Sequence, residues 1–517
     1  MKDTFTKSMS WLHTWASLLL GWLLFFIFLT GTLGYFQKEI TQWMKPELPI
    51  SVNKFTQQEL VQIAMNHLKK EAPSSKKWLI KLPNSRENIL SVTWSHVRKD
   101  KATAMGGHGG GRGKRTTHII NPHTKEIVKP RRTGGGGLLY RMHYRLHYVN
   151  ARTVGRYIVG IASMLMLIGL ITGIIIHLRK ILKDFFTFRQ DRNLHSWLDG
   201  HIFTSVLALP FHLMITYSGL AFFVFTYMPL TALANYDGDM RNYIQEAFPR
   251  EKAIKIQGIK EPLASIEQMR KNAEAYFGSP IKSISIINQG DSSAIVNFTR
   301  ENSTLFSSEK ADKVYFSGID GKMIENQSPN RPKATRARDI LTGLHRGDFA
   351  NIYARWLYFL SGVLGTFMIA TGLVIWTKKR EAKQKDTLGF KLVDNLNMVT
   401  IAGLPIAVAV YFWANRLIPI DVPKRAMQEA DAMFIAWLAV SVFVFSVNSR
   451  KMWVVLFYLS ATLYALLPIS NFFLTGRHLA ITIAQGDWTL VWMDLMLFFT
   501  GLAFWYTGHK VQKKISS

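Results

Sequence analysis

The chain has no cysteine. That absence excludes disulfides, zinc–thiolate sites, iron–sulfur clusters and thiol catalysis, so any tightly held metal must rest on histidine, methionine, carboxylate or a prosthetic group. Acidic residues are scarce: 34 Asp and Glu stand against 63 Lys and Arg, a formal charge of +29. Such an excess suits nucleic acid, but a membrane protein with basic cytoplasmic loops accounts for it better, and no nucleic-acid partner is expected. A phosphate cradle is missing too. No stretch fits G-x-G-x-x-G between a strand and a helix, or a P-loop, so the chain has no recognisable nucleotide domain. What it has is apolar residue: 48% of 517 positions are hydrophobic, 15 are Trp, and the mean hydropathy is +0.07. Apolar spans alternating with water-soluble stretches give that balance.

Apolar runs fall at 11–36, 152–177, 201–228, 352–376, 397–416, 432–447, 452–473 and 488–507, most near the ~20 residues that cross a bilayer. Eight transmembrane helices are predicted, the run at 432–447 being short enough to be tilted, irregular or partly re-entrant. The connections at 178–200, 377–391 and 448–451 are basic, as are Lys2, Lys7, Lys510, Lys513 and Lys514. Both termini and these loops are therefore expected in the cytoplasm. The first span starts too early and lacks a small-residue cleavage site, so it reads as a retained helix. The chain divides into helix one (1–36), a first extracytoplasmic domain (37–150), helix two (151–178), a loop (179–200), helix three (201–228), a second domain (229–350), helix four (351–377), a loop (378–396) and a C-terminal four-helix extension (397–517). Each extracytoplasmic stretch shows one helical segment followed by β-like runs, the pattern of a small α+β domain. The expected fold is mainly α and polytopic, with two such domains.

The flanking helices repeat. "HTWASLLLGWLLFFIFLTG" from His13 lies without a gap over "HIFTSVLALPFHLMITYSG" from His201, at an offset of 188. "ARTVGRYIVGIASMLMLIGLITG" from Ala151 lies over "ANIYARWLYFLSGVLGTFMIATG" from Ala350, at an offset of 199. The first four helices are a tandem duplication of helix, soluble domain, helix, related by a pseudo-twofold axis along the membrane normal. Thr30-Gly31, Thr172-Gly173, Ser218-Gly219 and Thr371-Gly372 recur at equivalent places, giving small surfaces for close approach.

The histidines collect at the two ends of this unit. His13 and His201 sit at the inner ends of helices one and three, and His177 at the inner end of helix two, where the second copy has Trp376. His143, His147 and His345 precede helices two and four at the outer face, and His212 stands alone in depth. On a straight helix His201 and His212 project from one face, ~16 Å apart in rise. Imidazoles at two depths are what a stacked pair of b-type haems needs. The plainer readings are helix-packing or proton-relay duty for His212, and interfacial placement for the others.

"LHTWASLLLGWLLFFIFLTGTLGYF", "YRMHYRLHY", "GLITGIIIHLRKILKDFFTFR", "SWLDGHIFTSVLALPFHLMITYSGL" and "GLHRGDFANIYARWLYFLSGVLGTFMIATGLVIW" resemble the PepSY-associated transmembrane-helix family. Within it they look most like the FoxB-type inner-membrane ferric-siderophore reductases of Gram-negative bacteria. The resemblance covers roughly residues 1–380. It implies a protein with two haem b groups that carries electrons from a cytoplasmic reductase or a quinol to a periplasmic ferric-siderophore or other anionic Fe(III) chelate, with PepSY-like soluble domains. The matching histidines are His13, His147, His177, His201, His212 and His345. The expected axial pairs are His177 with His201, His13 competing, and His212 with His147 or His345.

Further expectations attach to single residues. Arg156 and Arg355 would pair with haem propionates or snorkel at the interface. Pro210 would kink helix three just before His212. His108, Arg112, Lys114 and Arg115, in the glycine-rich run Ala104–His118 continued by Lys129–Arg132, would attract an anionic chelate; a hairpin tip or a lipid-facing patch is the simpler reading. Asp494 and His478 in the extension suggest helix packing or an aqueous cavity. Two other functions compete: an iron or siderophore transporter using the last four helices, and a membrane-bound binding or regulatory protein without redox activity.

Overall fold

A computed structural model describes residues 2–49, 54–95, 115–149, 152–184, 193–248, 254–301, 313–324 and 332–516. In chain order these form α1 (Lys2–Gly34), α2 (Gln37–Trp43), α3 (Gln57–Glu71), β1 (Lys77–Lys81), β2 (Leu90–Ser95), β3 (Arg115–Ile120), β4 (Ile127–Val128), α4 (Gly135–Arg145), α5 (Arg152–Asp184), α6 (Asn193–Leu207), α7 (Leu209–Tyr227), α8 (Pro229–Asn235), α9 (Met240–Ala247) and α10 (Ile266–Phe277). There follow β5 (Ile281–Ile287), β6 (Ile295–Arg300), β7 (Lys313–Ser317), β8 (Met323–Ile324), α11 (Lys333–Arg346), α12 (Ile352–Gln384), α13 (Leu388–Asn397), a π-turn (Met398–Gly403), α14 (Leu404–Leu417), α15 (Arg425–Val447), α16 (Lys451–Leu474), α17 (Leu479–Ala484) and α18 (Trp488–Ser516). The chain separates into a helical unit (Met1–Pro46, Arg131–Thr231, Leu344–Ser517) and a sheet unit (Glu47–Pro130, Ala232–Gly343).

Among the described residues, seven helices are long and apolar enough to span a bilayer, or eight if a bent pair counts as one span. The protein is a multi-pass membrane protein of mainly α fold. The run at 432–447 belongs to a full-length helix, Arg425–Val447, starting seven residues earlier than its apolar stretch. Helix three is the bent pair: α6 and α7 meet at 66° with Pro210 in the first turn of α7. Proline has no N–H to continue the ladder of α6 and is tolerated only in a first turn, so the chain breaks just before it. The bend removes the straight-helix geometry expected of His201 and His212.

Within the helical unit the extension packs onto the duplicated core. Trp22 Nε1 on α1 donates to Asn397 Oδ1 (2.9 Å), whose amide donates to the Leu373 carbonyl of α12 (3.3 Å). Phe26 stacks on Trp437 of α15, centroids 5.8 Å apart. The π-turn lies just before Pro405, whose missing N–H and ring disfavour a regular turn there. Trp437 Nε1 donates to the Val399 carbonyl inside that turn (2.9 Å).

In the sheet unit both α+β stretches form as their patterns predict. They join edge to edge in one antiparallel sheet of order β4-β3-β2-β1-β5-β6-β7-β8. The join is β1 on β5, Trp78 opposite Ile286 and Ile80 opposite Ile284. Alternation turns Trp78, Ile80, Val92, Ile284, Ile286, Val296 and Phe298 to one face, where the apolar sides of α3 and α10 cover them. A capping box, Thr56 with Glu59, starts α3, and Ser265 caps α10.

Candidate cofactor site: two histidine pairs

The duplication brings histidines from the two copies face to face twice. At one level His13 of α1 meets His201 of α6, ring centroids 6.4 Å apart. At the other His143 of α4 meets His345 of α11, centroids 6.0 Å apart. Each ring is oriented through Nδ1. His13 Nδ1 donates to the Gly169 carbonyl (2.9 Å) beside Thr172 Oγ1 (3.2 Å), and His201 Nδ1 to the Met368 carbonyl (2.8 Å) beside Thr371 Oγ1 (3.1 Å). Gly169 and Met368, like Thr172 and Thr371, are related by the repeat offset. His143 Nδ1 donates to the Ile27 carbonyl (2.8 Å). His345 Nδ1 lies 2.9 Å from Ser218 Oγ, and the ring also meets the Ile215 carbonyl, the counterpart of Ile27. A proton held on Nδ1 fixes the neutral tautomer and leaves Nε2 as a lone-pair donor.

The recurring glycines make room for these rings. A Cβ at Gly31 would sit 2.5 Å from His143 Nδ1, and one at Gly219 3.3 Å from His345 Cε1. At Gly173 and Gly372 it would lie 3.2 Å from Cε1 of His13 and of His201. Every dipeptide that the repeat pairs thus backs one imidazole. Two imidazoles bound to one metal at ~2 Å per bond set their ring centroids ~6 Å apart, and both pairs have about that centroid separation. Burial, and then the neighbouring His143, push the His345 imidazole down to about 3, and burial lowers that of His143, so both are neutral at physiological pH. Among the described residues no group of three or more His, Asp or Glu side chains converges as a metal site.

The other expected site residues lie elsewhere. His147 stacks on Phe434 of α15 (5.7 Å, 8°); the ring facing His345 is that of His143. His177 lies within electrostatic reach of His201, whose ring partner is His13. His212 is fully buried, but its Nε2 donates to the Ser361 carbonyl (3.3 Å) and its ring meets Phe28 and Phe211. The two arginines are not equivalent: Arg355 is buried and pairs with Glu39 (2.6 Å), whereas Arg156 is exposed. Arg115 opens β3 on the surface; His108, Arg112 and Lys114 lie outside the described residues. Of the basic continuation, Arg131 is buried and donates to the Asn415 carbonyl (2.6 Å), so it belongs to the packing of the helical unit. Asp494 accepts from Trp43 Nε1 (2.7 Å) and Asn471 Nδ2 (2.9 Å), a helix-packing arrangement, and His478 packs on Phe472.

His143 was legible by another alignment. "LLYRMH" ending at His143 lies over "ILTGLH" ending at His345, but the link to the following helix is three residues longer in the first copy, so the 199 offset of the helices places His345 nearer His147.

Residues 10–379 match the family model described as PepSY-associated TM region. The chain belongs to that family. No curated protein matches it. All four paired histidines and the four glycines behind them fall within the matched residues of the PepSY-associated region, and the extension from α13 onward falls outside.

Proposed function

We propose that each histidine pair holds one b-type haem through its two Nε2 atoms, and that the protein passes electrons between the two sites to reduce a ferric-siderophore or similar anionic Fe(III) chelate, as a reductase of the FoxB type. The observation that carries this reading is the twofold repetition of one arrangement: facing imidazoles from opposite copies, each oriented through Nδ1, each backed by a glycine. His13 with His201 and His143 with His345 would hold the two groups, and the glycines give the rings close-approach surfaces behind them. When bound, haem would supply a one-electron Fe(III)/Fe(II) couple suited to electron transfer.

The protein's own residues do the rest. The carbonyls of Gly169, Met368 and Ile27 accept the Nδ1 protons of His13, His201 and His143, and Ser218 Oγ lies at Nδ1 of His345, so the rings are held in orientation. The apolar helices around the pairs exclude water. One electron per chelate converts Fe(III) to Fe(II), supplied by a quinol or a separate cytoplasmic reductase. The basic loops support a reading in which the termini and the His13–His201 pair face the cytoplasm across a bacterial inner membrane and the sheet unit lies in the periplasm.

Reduced-minus-oxidised spectra and a pyridine haemochrome assay on the purified protein test this. Two haem b groups per chain are expected. None, in protein produced with ample haem, overturns the reading and returns the pairs to helix packing.

A further inference from the structure

His212 has no place in either pair, yet the structure builds a site for it. Along α6 and α7 it lies after His201 and just before Ile215, the carbonyl that holds His345. On α12 its neighbours Ser361 and Gly365 lie between the His345 end and Met368, the carbonyl that holds His201. It therefore sits between the two levels on both helices. Its exposure is 0%. Nε2 donates to the Ser361 carbonyl, the Ser205 carbonyl is the ring's other polar neighbour, and Nδ1 makes no hydrogen bond of good geometry among the described residues.

The first copy shows what this position is without a histidine. At the repeat offsets His212 corresponds to Leu24, Ser361 to Ala162 and Gly365 to Met166; all three counterparts are buried apolar side chains. Gly365 is what admits the imidazole: a Cβ there would fall 2.9 Å from His212 Nε2 and 2.5 Å from the Phe28 ring. The second copy thus holds a ring and the space for it where the first holds two larger apolar side chains. A buried polar ring with one nitrogen unpaired costs stability that Leu24 avoids. Packing alone does not account for it.

Resting on the haem reading, we infer that His212 is a non-ligating positioning residue that sets how readily an electron passes between the two sites. A charge moving through an apolar interior is stabilised by dipoles already fixed in place. The N–H pinned to Ser361, with the unpaired Nδ1 opposite, is such a dipole in the gap. In the passage one electron leaves one site and arrives at the other, while His212 keeps its proton and gains no electron.

The test uses the full-length protein in vesicles, with an internal reductant and external ferric citrate as the acceptor. H212L, which installs the residue of the first copy, is expected to keep two haems and both bis-histidine electron-spin signals. It should change the separation of the two midpoint potentials and slow transfer about fivefold, the effect of about 1 kcal/mol on a barrier. H212Q, which can still donate to Ser361, is expected to recover part of the rate and carries the test if H212L does not fold. Wild-type potentials and rate in both variants would overturn the inference and leave His212 a packing residue. Loss of one haem in H212L would overturn it too, making His212 a ligand. Absence of haem from the wild type is a separate result, which defeats the haem reading before any variant is compared.

Discussion

Arg425 and Glu429, one turn apart on α15, form an ion pair in which neither side chain has any exposure. The pair is saturated with further bonds. Arg425 donates to the carbonyls of Asn415 (2.6 Å), Ile418 (3.1 Å) and Arg132 (3.1 Å), and Glu429 accepts from Asn415 Nδ2 (2.7 Å), Thr133 Oγ1 (2.5 Å) and the Gly134 N–H (3.3 Å). Residues 132–134 lead directly into α4, which carries His143. Gly135 at φ 55° and Gly136, where a Cβ would strike the Gln37 backbone, let that entry pass close to α2. The extension is therefore fastened to the helix that presents one ring of the His143–His345 pair.

Removing one partner leaves a buried charge unpaired. E429Q and R425M are each expected to destabilise the helical unit by about 3–5 kcal/mol, whereas a double replacement by apolar residues of similar volume should cost much less. Thermal unfolding in detergent reads both, and equal losses in single and double variants would contradict the coupling.

The two pairs make separable predictions about haem. H13L and H201L should each lower the haem content from two to one, and H143L and H345L should remove the other haem, visible as loss of a different electron-spin signal. H147L should retain both, because His147 packs on Phe434 instead. Retention of two haems in H143L together with loss in H147L would reverse the assignment of the His143–His345 pair.

Much of this was legible in the sequence because the duplication was. Offsets of 188 and 199 predict which carbonyls and glycines are equivalent, and the structure fills those positions with equivalent hydrogen bonds. Three features lay beyond such reading. The first-copy partner of His345 is His143 because the following link differs in length between copies, which a gapless helix alignment hides. The single sheet depends on β1 pairing with β5 some two hundred residues away, and alternation within a strand says nothing of its partner. The network around Arg425 joins residues scattered from 132 to 429, so no local spacing announces it.

Acid should loosen the sheet unit through Asp291. Its carboxylate accepts from Ser293 Oγ (2.5 Å), then from the N–H groups of Ser293, Gln257 and Gly258, which bring it down from 3.8 to about 2. A carboxylate depressed by folding stabilises the fold above its unfolded value, and that contribution disappears as pH falls from near 4 towards 2. D291N should remove this part of the acid sensitivity. Hydrogen exchange of β5 and β6 in the full-length protein at pH 6 and pH 3 measures it; an unchanged pH response in D291N would place the acid-labile group elsewhere.

The glycines behind the imidazoles make the most graded prediction. A methyl at Gly31 would fall 2.5 Å from His143 Nδ1, closer than any neighbour tolerates, and the ring is anchored to the Ile27 carbonyl in the same helix. A methyl at Gly173, Gly372 or Gly219 would fall 3.2–3.3 Å from its imidazole, a crowding that a shift of a few tenths of an ångström relieves. Overpacking of a tight interior costs roughly 1–3 kcal/mol, so G31A should stand at the upper end and the other three alanine variants at the lower. The readout is the temperature at which each haem is released, since the clash acts on one ligand ring at a time. G31A should weaken the His143–His345 site and spare the His13–His201 site, while G173A and G372A do the reverse. A general fall in stability with both sites equally affected would mean that the glycines serve helix crossing rather than the rings.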